Sequence, residues 1–366
     1  MILMNDFKAE PIELRDSMLK AVSRVLDSGW YVLGKEVESF EKEWAANCKT
    51  TYALGVANGL DAIEISLRAS GIGKGDEVIT TTMTAFASVL GIIRAGATPV
   101  LADIDQHTGL LSIESTKRCL SKNTKAILLV HLYGQIRNMA AWLSLCEENN
   151  IDLIEDCAQA HLASSNGKVA GSFGKIGAFS FYPTKNLGAP GDAGAITTND
   201  AALKEKASYL RNYGQSKRYY HPELGLNSRL DEIHAAILSE RLKWLSQFNQ
   251  CRQVIASAYY EGLNNPIVRL MAIPESTTSH VHHLFVITSD HREKLQAHLN
   301  NNGIQTLIHY PVPIHFQEPC INIKHDPFGL QTSERHASTC LSLPCHPQML
   351  DSDIQKIIDS VNSFKV

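Results

Sequence analysis

The chain has 366 residues and a formal net charge of −4, and 44% of its residues are hydrophobic while 20% are charged. This composition is that of a globular protein long enough for two domains, and its acidic balance argues against nucleic-acid and membrane-surface binders. Eight cysteines without a C-x-x-C pair favour unpaired thiols in a reducing compartment, and no apolar run approaches the roughly 20 residues that span a bilayer.

The start of the chain places the acidic residues Glu10 and Asp16 soon after its apolar first residues. A signal peptide has a basic start followed by an uninterrupted apolar stretch, so this pattern does not resemble one. We therefore expect a cytoplasmic protein.

From about residue 55 to residue 200, short apolar or β-branched runs alternate with longer stretches of helical pattern. This alternation predicts an α/β sandwich with a mostly parallel sheet, and the fully apolar runs predict strands that helices cover on both faces. The predicted strands are 77–81, 98–102, 126–130, 151–154, 178–181 and 194–197, and the predicted helices between them include 87–95 and 138–149. Ligands of such sheets bind beyond the carboxyl ends of the strands.

The pattern changes after residue 230. A long run with apolar residues at helical spacing predicts a connecting helix over 231–261. Beyond it the sequence predicts a strand at 283–287 and helices at 293–300 and 353–364, which indicates a smaller α+β domain. We therefore predict a large domain over residues 1–245 and a small C-terminal domain over residues 246–366.

Two segments carry the strongest chemical signal. Asp156 follows the apolar run 151–154, and Ser180 and Lys185 belong to a segment that ends in a Pro-bounded loop. An enzyme that uses pyridoxal 5′-phosphate (PLP) needs this set, with Asp for the pyridinium nitrogen, Ser for the phosphate and Lys for covalent attachment. The alternatives are a solvated loop lysine and an aspartate that caps a helix. The glycine-rich segment 186–194 favours the functional interpretation, since glycines let backbone approach a ligand closely.

A phosphate group requires further donors. The segment 56–63 predicts a loop that turns into a helix at Gly59, and free amides at such a helix start suit a phosphate dianion. Ser180 would add a hydroxyl, and Asn227 is a third candidate whose alternative role is to cap the helix that follows it. Gln159 could reach the O3′ side of the ring. His161 is either a packed polar residue or a partner of the ligand-contacting groups.

Two further loops could contact a substrate. The segment 211–220 contains three cations and three tyrosines, which could hold a diphosphate and stack a base, although a solvated basic loop is the alternative. The segment 309–317 presents His309 and Tyr310 on a loop stiffened by two prolines, and His315 there could be purely structural. His309 and His315 have no recognised metal spacing, so we predict no metal site, and no Walker A or nucleophile-elbow motif occurs.

Taken together, these motifs are similar to those of the fold-type I, PLP-dependent sugar aminotransferases, the family named for its DegT, DnrJ, EryC and StrS members. The resemblance covers almost the whole chain. Its segments are 28–37, 57–62, 155–161, 179–186, 227–232 and 309–317. In segment 83–88 the chain departs from the family pattern, because Ala85 stands where many members place an aromatic residue that stacks on the cofactor ring.

The resemblance implies an aspartate-aminotransferase-like fold, with a large domain around a mostly parallel mixed sheet and a smaller α+β domain. It implies PLP as the cofactor, with Lys185 as attachment point and proton carrier and Asp156 as partner of the pyridinium. The implied cofactor-binding residues are Gly59, Leu60, Asp156, Gln159, Ser180, Lys185 and Asn227. Because Asn227 reaches the neighbouring subunit's site in this family, a homodimer with shared sites is expected.

Members of this family usually move an amino group from glutamate to a keto sugar carried on a nucleotide diphosphate. The segments at Asn58 and at 309–313 resemble members that aminate C3 of a dTDP-3-keto-6-deoxyhexose, which gives a dTDP-3-amino-3,6-dideoxyhexose for glycans such as lipopolysaccharide O-antigen. The expected substrate-binding residues are Tyr182, Lys217, Arg218, Tyr219, His309 and Tyr310.

Three alternatives remain at this point. The first is amination at C4 of a nucleotide-linked 4-keto-6-deoxyhexose. The second is a dehydratase that uses pyridoxamine phosphate, although those relatives have histidine where this chain has Lys185. The third is a binding role without catalysis.

Overall fold

A seven-stranded mixed sheet forms the centre of the larger part of the molecule in the computed structural model, which describes residues 1–366. Its strands are β1 (Tyr52–Val56), β2 (Glu77–Thr81), β3 (Thr98–Ala102), β4 (Thr124–Val130), β5 (Asp152–Asp156), β8 (Ile176–Ser180) and β9 (Gly194–Thr198), with the short hairpin β6 (Ser164–Ser165) and β7 (Lys168–Val169) beside them. Their order is β1-β9-β8-β5-β4-β2-β3. The strand β9 runs antiparallel to both of its neighbours, β1 and β8, and all other neighbouring strands are parallel.

Helices cover both faces of this sheet. They are α1 (Ile12–Ser28), α2 (Lys35–Cys48), α3 (Gly59–Ala69), α4 (Phe86–Arg94), α5 (Ile113–Cys119), α6 (Met139–Asn149), α7 (Ala201–Leu210) and the first half of α8 (Glu232–Gly262). One buried core joins the sheet to α2, α5, α6 and α8, and a second core joins it to α3, α4 and α7. Burial of the sheet on both faces explains why several of its strands have apolar sequences.

The predicted fold class is confirmed, with shifts of a few residues at the element ends. The predicted strand 151–154 extends to Asp156, so that this residue ends β5 instead of following it. The helix predicted over 231–261 is α8. The strand β1 and the helices α1, α2 and α7 had no counterpart in the sequence prediction.

A smaller unit follows the first half of α8. A three-stranded antiparallel sheet contains β10 (Arg269–Leu270), β11 (Phe285–Thr288) and β12 (Cys340–Leu343), and it packs with α9 (Arg292–Asn301), α10 (Gln331–Thr339) and α11 (Asp351–Ser363). Residues of α8 up to Leu245 belong to the large core, whereas those from Ile255 onward belong to the small one. The chain start lies against the small unit, where the Ile2 amide donates to the Gly303 carbonyl. The boundary at residues 245/246 remains a prediction.

Two contacts fix the helices that flank the site. The buried Glu232 carboxylate accepts hydrogen bonds from the amides of Gly34, Glu36 and Val37, which ties the start of α8 to the start of α2. The Trp44 ring of α2 stands perpendicular to the Phe179 ring of β8 at 5.1 Å between centroids. Such pairs add about 1 kcal/mol beyond their buried area.

None of the helices combines the length with the apolar character that crossing a membrane requires.

Candidate active site

The carboxyl ends of β4, β5 and β8 meet at one edge of the sheet, and Asp156 stands there as the last residue of β5. It lies in register with Val130 of β4 and Ala178 of β8, and only 5% of the residue is exposed. Its Oδ2 accepts a hydrogen bond from the Ser88 hydroxyl at 2.7 Å, and its Oδ1 accepts one from the Ala158 amide at 3.1 Å. Asp156 is therefore a buried carboxylate without a bonded cation, at the edge where parallel sheets bind ligands.

Lys185 lies on the loop that follows β8. Its amide donates to the Tyr182 carbonyl, and the loop is closed by a bond from the Ala189 amide to the Phe181 carbonyl. Gly188 approaches Pro183 so closely that an added Cβ would lie 2.4 Å from the Pro183 carbonyl oxygen, which explains the glycine. Burial lowers the pKa of Lys185 to about 8, although the negative charge of Asp156 opposes this shift. The lysine is thus prepared to act as a neutral amine.

We expect the cofactor-free protein to react at Lys185 with an amine-directed reagent along a pH curve with its midpoint near 8. Only the neutral amine attacks, and its fraction rises as the pH increases through the pKa, whereas ordinary lysines follow a midpoint of about 10.4. Mass spectrometry of the labelled peptides from pH 6 to 11 measures both curves in one sample. A Lys185 curve that coincides with those of the exposed lysines would contradict the expectation.

The start of α3 provides donors for an anion. Asn58 caps the helix, since its side chain accepts a hydrogen bond from the Asp61 amide at 2.8 Å. The amides of Gly59 and Leu60 precede the first intrahelical bonds and have no partner within the chain. Ser180 lies directly opposite, and its hydroxyl accepts from the Tyr182 amide, which leaves its own hydrogen available for donation.

Gly59 packs so closely on Ser180 that a Cβ at residue 59 would lie 2.5 Å from the Ser180 Cβ. We therefore expect Gly59→Ala to push the start of α3 away and to weaken the binding of pyridoxamine phosphate by at least about tenfold, as overpacking costs about 1–3 kcal/mol. Gly73→Ala is the control, because its Cβ meets only the Ala95 oxygen at 3.4 Å. Fluorescence titration measures the dissociation constant of pyridoxamine phosphate for both variants. Wild-type affinity in Gly59→Ala would disprove the close-packing argument.

Gln159 connects three segments around the site. Its Oε1 accepts a hydrogen bond from the Tyr133 amide at 2.6 Å, and its Nε2 donates to the Tyr310 hydroxyl at 3.1 Å. The Tyr133 hydroxyl donates to the His309 carbonyl at 2.7 Å, so it accepts from Nε2 of His336 at 2.8 Å. Because Gln159 accepts at Oε1 and donates from Nε2, its side-chain amide is fixed in one orientation.

His309 and Tyr310 lie within electrostatic range of the two central residues. Burial and then the charge of Lys185 lower the pKa of His309 to about 4. Burial and then the charge of Asp156 raise the pKa of Tyr310 to about 12, while its bond with Gln159 acts in the opposite direction. The loop at 309–310 thus faces the same site as Lys185 and Asp156.

The loop that contains Lys217, Arg218 and Tyr219 forms no hydrogen bond with these residues within the chain. The Lys217 ammonium lies 4.1 Å from the centre of the Tyr220 ring, and the Arg218 guanidinium lies 5.1 Å from that of Tyr219. Tyr219 is 76% exposed. Tyr182 is exposed as well, beside the Lys185 loop, so the predicted substrate residues fall into two separate groups.

The structure also shows the surroundings of three residues for which the sequence left alternatives open. Asn227 is exposed and does not cap α8, whose N-cap is Asp231. His315 has a structural role, since its ring nitrogens contact Thr82 and Glu334. His161 is packed among aromatic rings and also donates from Nε2 to the Ser180 carbonyl at 3.0 Å, and burial lowers its pKa to about 3.

The sequence analysis did not propose Ser88, Tyr133 or His336 as site residues. Tyr133 follows β4 at the ligand-binding edge, and that position was the available signal. Ser88 ends the segment 83–88, which the sequence analysis considered only for its missing aromatic residue, and His336 lies on a helix without any motif, so contacts across the fold reveal both.

The residues fit PLP. The free amides of Gly59 and Leu60 and the Ser180 hydroxyl match a phosphate in number and chemistry, and an added Cβ would fill this cradle. The buried Asp156 carboxylate matches a protonated ring nitrogen, and the Lys185 amine matches an aldehyde.

Comparison with known proteins gives one consistent result. The profile of the DegT/DnrJ/EryC1/StrS aminotransferase family matches residues 13–362. The chain is 44% identical over 364 residues to dTDP-3-amino-3,6-dideoxy-alpha-D-galactopyranose transaminase of Aneurinibacillus thermoaerophilus, covering 100% of this chain and 99% of the relative. It is 41% identical over 360 residues to dTDP-3-amino-3,4,6-trideoxy-alpha-D-glucose transaminase of Streptomyces venezuelae, covering 98% and 95%.

A solved structure agrees with the sequence matches. The crystal structure of S. venezuelae DesV in complex with a ketimine intermediate superposes with a TM-score of 0.95 at 41% identity, covering 99% of this chain and 97% of that one.

Proposed function

The chain belongs to the DegT/DnrJ/EryC1/StrS aminotransferase family, and from this membership we propose that it transfers an amino group from glutamate to C3 of a dTDP-3-keto-6-deoxyhexose. The product would be a dTDP-3-amino-3,6-dideoxyhexose. The observation that carries the choice of C3 is the full-length similarity to two relatives whose names specify 3-amino sugars. The protein is a PLP-dependent aminotransferase, with Lys185 in place of the histidine that the sequence analysis associated with the dehydratases.

The roles of individual residues follow from their chemistry. Bound PLP supplies an aldehyde that condenses with amines and a ring that delocalises negative charge. Lys185 provides the amine for attachment and then holds or releases a proton at Nζ beside the reacting carbon. Asp156 would offer a negative charge to the ring nitrogen, and the α3 start with Ser180 would hold the phosphate. Gln159, in the orientation set by Tyr133 and Tyr310, would contact the O3′ side.

For the sugar we propose that Tyr182, His309 and Tyr310 face the hexose. His309 is uncharged near neutral pH because its pKa is about 4, so it can accept or donate a hydrogen bond to a hydroxyl without adding charge. Lys217, Arg218 and Tyr219 would contact the nucleotide diphosphate.

The test of regiochemistry is to incubate the purified holoenzyme with glutamate and either the 3-keto or the 4-keto dTDP-sugar. We expect amine at C3, detected by NMR of the product. Amine formed only from the 4-keto sugar would replace the C3 proposal with the C4 alternative.

We further propose that the active unit is a homodimer. A groove of about 330 Å³ between α1 and the Lys185 loop is lined by Phe7, Leu19, Pro183 and Pro190, and the Leu19 residue is 60% exposed. These exposed apolar groups beside the catalytic loop are suited to a second copy of the chain. Asn227 and the loop at 217–219, which form no hydrogen bond with the residues around Lys185 in their own chain, would then serve the neighbouring site.

Subunit mixing tests the shared site. We expect separate Lys185→Ala and Asn227→Ala proteins to be impaired, and co-refolded mixtures to recover activity. In an equal mixture about half of the dimers are mixed, and each has one intact site of two, so about a quarter of wild-type activity is the upper limit. Activity equal to the mean of the separate proteins would contradict sharing through Asn227.

We also propose that the protein acts in the cytoplasm and that its product feeds glycan assembly, such as that of lipopolysaccharide O-antigen. The free thiols support the first of these proposals, and the nucleotide-linked amino sugar proposed as product supports the second.

A further inference from the structure

A chain of two buried hydroxyls leads to the Asp156 carboxylate. The Ser88 Oγ lies 2.7 Å from Asp156 Oδ2, and the Thr84 Oγ1 lies 2.9 Å from the Ser88 Oγ. An ionised carboxylate can only accept, so Ser88 donates its single hydrogen to Asp156. The Ser88 oxygen must then accept from Thr84, and the direction of both bonds is fixed.

We propose that Ser88, supported by Thr84, is a positioning residue that orients the Asp156 carboxylate toward the ring nitrogen of the cofactor. The inference rests on the role proposed above for Asp156. Ser88 lies 68 positions before Asp156 in the sequence. Ser88 itself does not contact the reacting atoms.

The bond to Asp156 is not the default for a helical serine. A serine inside a helix commonly bonds to the carbonyl four residues earlier, as Ser66 of α3 does with the Ala62 carbonyl at 2.6 Å. Ser88, in the first turn of α4, instead directs its hydroxyl across the fold to β5. The partly positive end of α4 therefore lies beside the carboxylate, and a helix start attracts a negatively charged group.

Both oxygens of the carboxylate are held from different sides. Ser88 binds Oδ2 and the Ala158 amide binds Oδ1, so the plane of the group cannot rotate without breaking a bond. An ionised carboxylate has about four lone-pair positions, so two remain for a ring N–H. The titratable groups that face Asp156 are Lys185 and Tyr310, with Cys157 next in the chain, and none of them bonds to it.

The experiment compares two non-covalent probes on the full-length protein. The probes are pyridoxamine phosphate and its 1-deaza analogue, in which carbon replaces the ring nitrogen that Asp156 would contact. We expect the wild type to prefer the nitrogen-containing probe, and we expect Ser88→Ala to reduce this preference about tenfold, the size typical of a hydrogen bond to a charged group. Ser88→Thr keeps the hydroxyl and should keep the preference.

Ser333→Ala is the matched control. Ser333 is also a buried serine that donates to a buried aspartate, Asp103, at 2.5 Å, but neither residue bonds to Asp156 or to the groups that hold it. Its loss should affect stability without changing the ratio of the two dissociation constants. A purely structural role of Ser88 would give the same pattern as this control.

Thr84→Val is the second variant, since it preserves side-chain shape and leaves Ser88 in place. We expect it to lower the preference about threefold, because Ser88 then lacks its own donor. A wild-type preference in Ser88→Ala would overturn the inference. If Ser88→Ala does not fold, a wild-type preference in Thr84→Val would overturn it. Asp156→Ala separates the two claims. If Asp156→Ala still prefers the nitrogen-containing probe, the role assigned to Asp156 is wrong. If Asp156→Ala loses this preference while Ser88→Ala keeps it, only the inference about Ser88 is wrong.

Discussion

Lys185→Ala should lower the rate of amino transfer from glutamate by at least about 10⁴-fold, equivalent to about 5.5 kcal/mol in activation free energy. The substitution removes both the amine that attaches the cofactor and the group that carries the proton. It leaves the phosphate cradle at Gly59 and Ser180 intact, so pyridoxamine phosphate should still bind. Stopped-flow absorbance of the glutamate half-reaction measures the rate.

Lys117→Ala is the control for this prediction. Lys117 forms a surface ion pair with Glu114 at 2.9 Å, and removing such a pair changes little. Borohydride treatment of the wild type should attach the cofactor to the peptide that contains Lys185. If Lys185→Ala retained more than about 1% of the wild-type rate, another group would have to supply the amine.

The central residues of the site could be predicted from the sequence because each belongs to a local pattern. Asp156 ends an apolar strand, and Lys185 follows a strand on a Pro-bounded loop, so the rule for parallel sheets places both at one edge. Gly59 was predictable for the same reason, since an Asn-Gly pair before a helical pattern indicates a helix start. These positions need no knowledge of long-range contacts.

The remainder of the site depends on contacts between distant segments. Gln159 bonds to Tyr310, 151 positions away, and Tyr133 bonds to His336, 203 positions away. No spacing rule relates such residues, because the packing of the small unit against the sheet edge brings them together. The exposed loop at 217–219 is a different case: its motif was visible, but a single chain does not place it at a site.

The same reasoning explains which elements escaped prediction. The strand β12 is only four residues long, and it directly follows α10 without a turn. In so short a run the alternation of buried and exposed residues cannot be read, and β12 is buried throughout. Its pairing with β11 supplies the missing information.

Asp156→Asn is expected to lower kcat about 10³-fold while leaving the fold intact. Asparagine has the same shape, and its oxygen can still accept from Ser88 or the Ala158 amide, so the substitution mainly removes charge. Without a negative charge beside it, the ring nitrogen is no longer held protonated, and negative charge developing on the substrate carbon is stabilised less. Steady-state kinetics with glutamate, together with the dissociation constant of pyridoxamine phosphate, measure the two effects.

Asp152→Asn provides the matched control at the other end of the same strand. Asp152 begins β5 and pairs with Lys175 at 2.7 Å on the surface, so neutralising it removes an equal charge from the same element. We expect kcat to change less than about twofold there, as surface ion pairs contribute at most about 1 kcal/mol to stability and none to the reaction. Comparable losses in both variants would mean that strand β5 requires acidic residues for folding, whereas a loss confined to Asp156→Asn assigns the charge to the chemistry at the sheet edge.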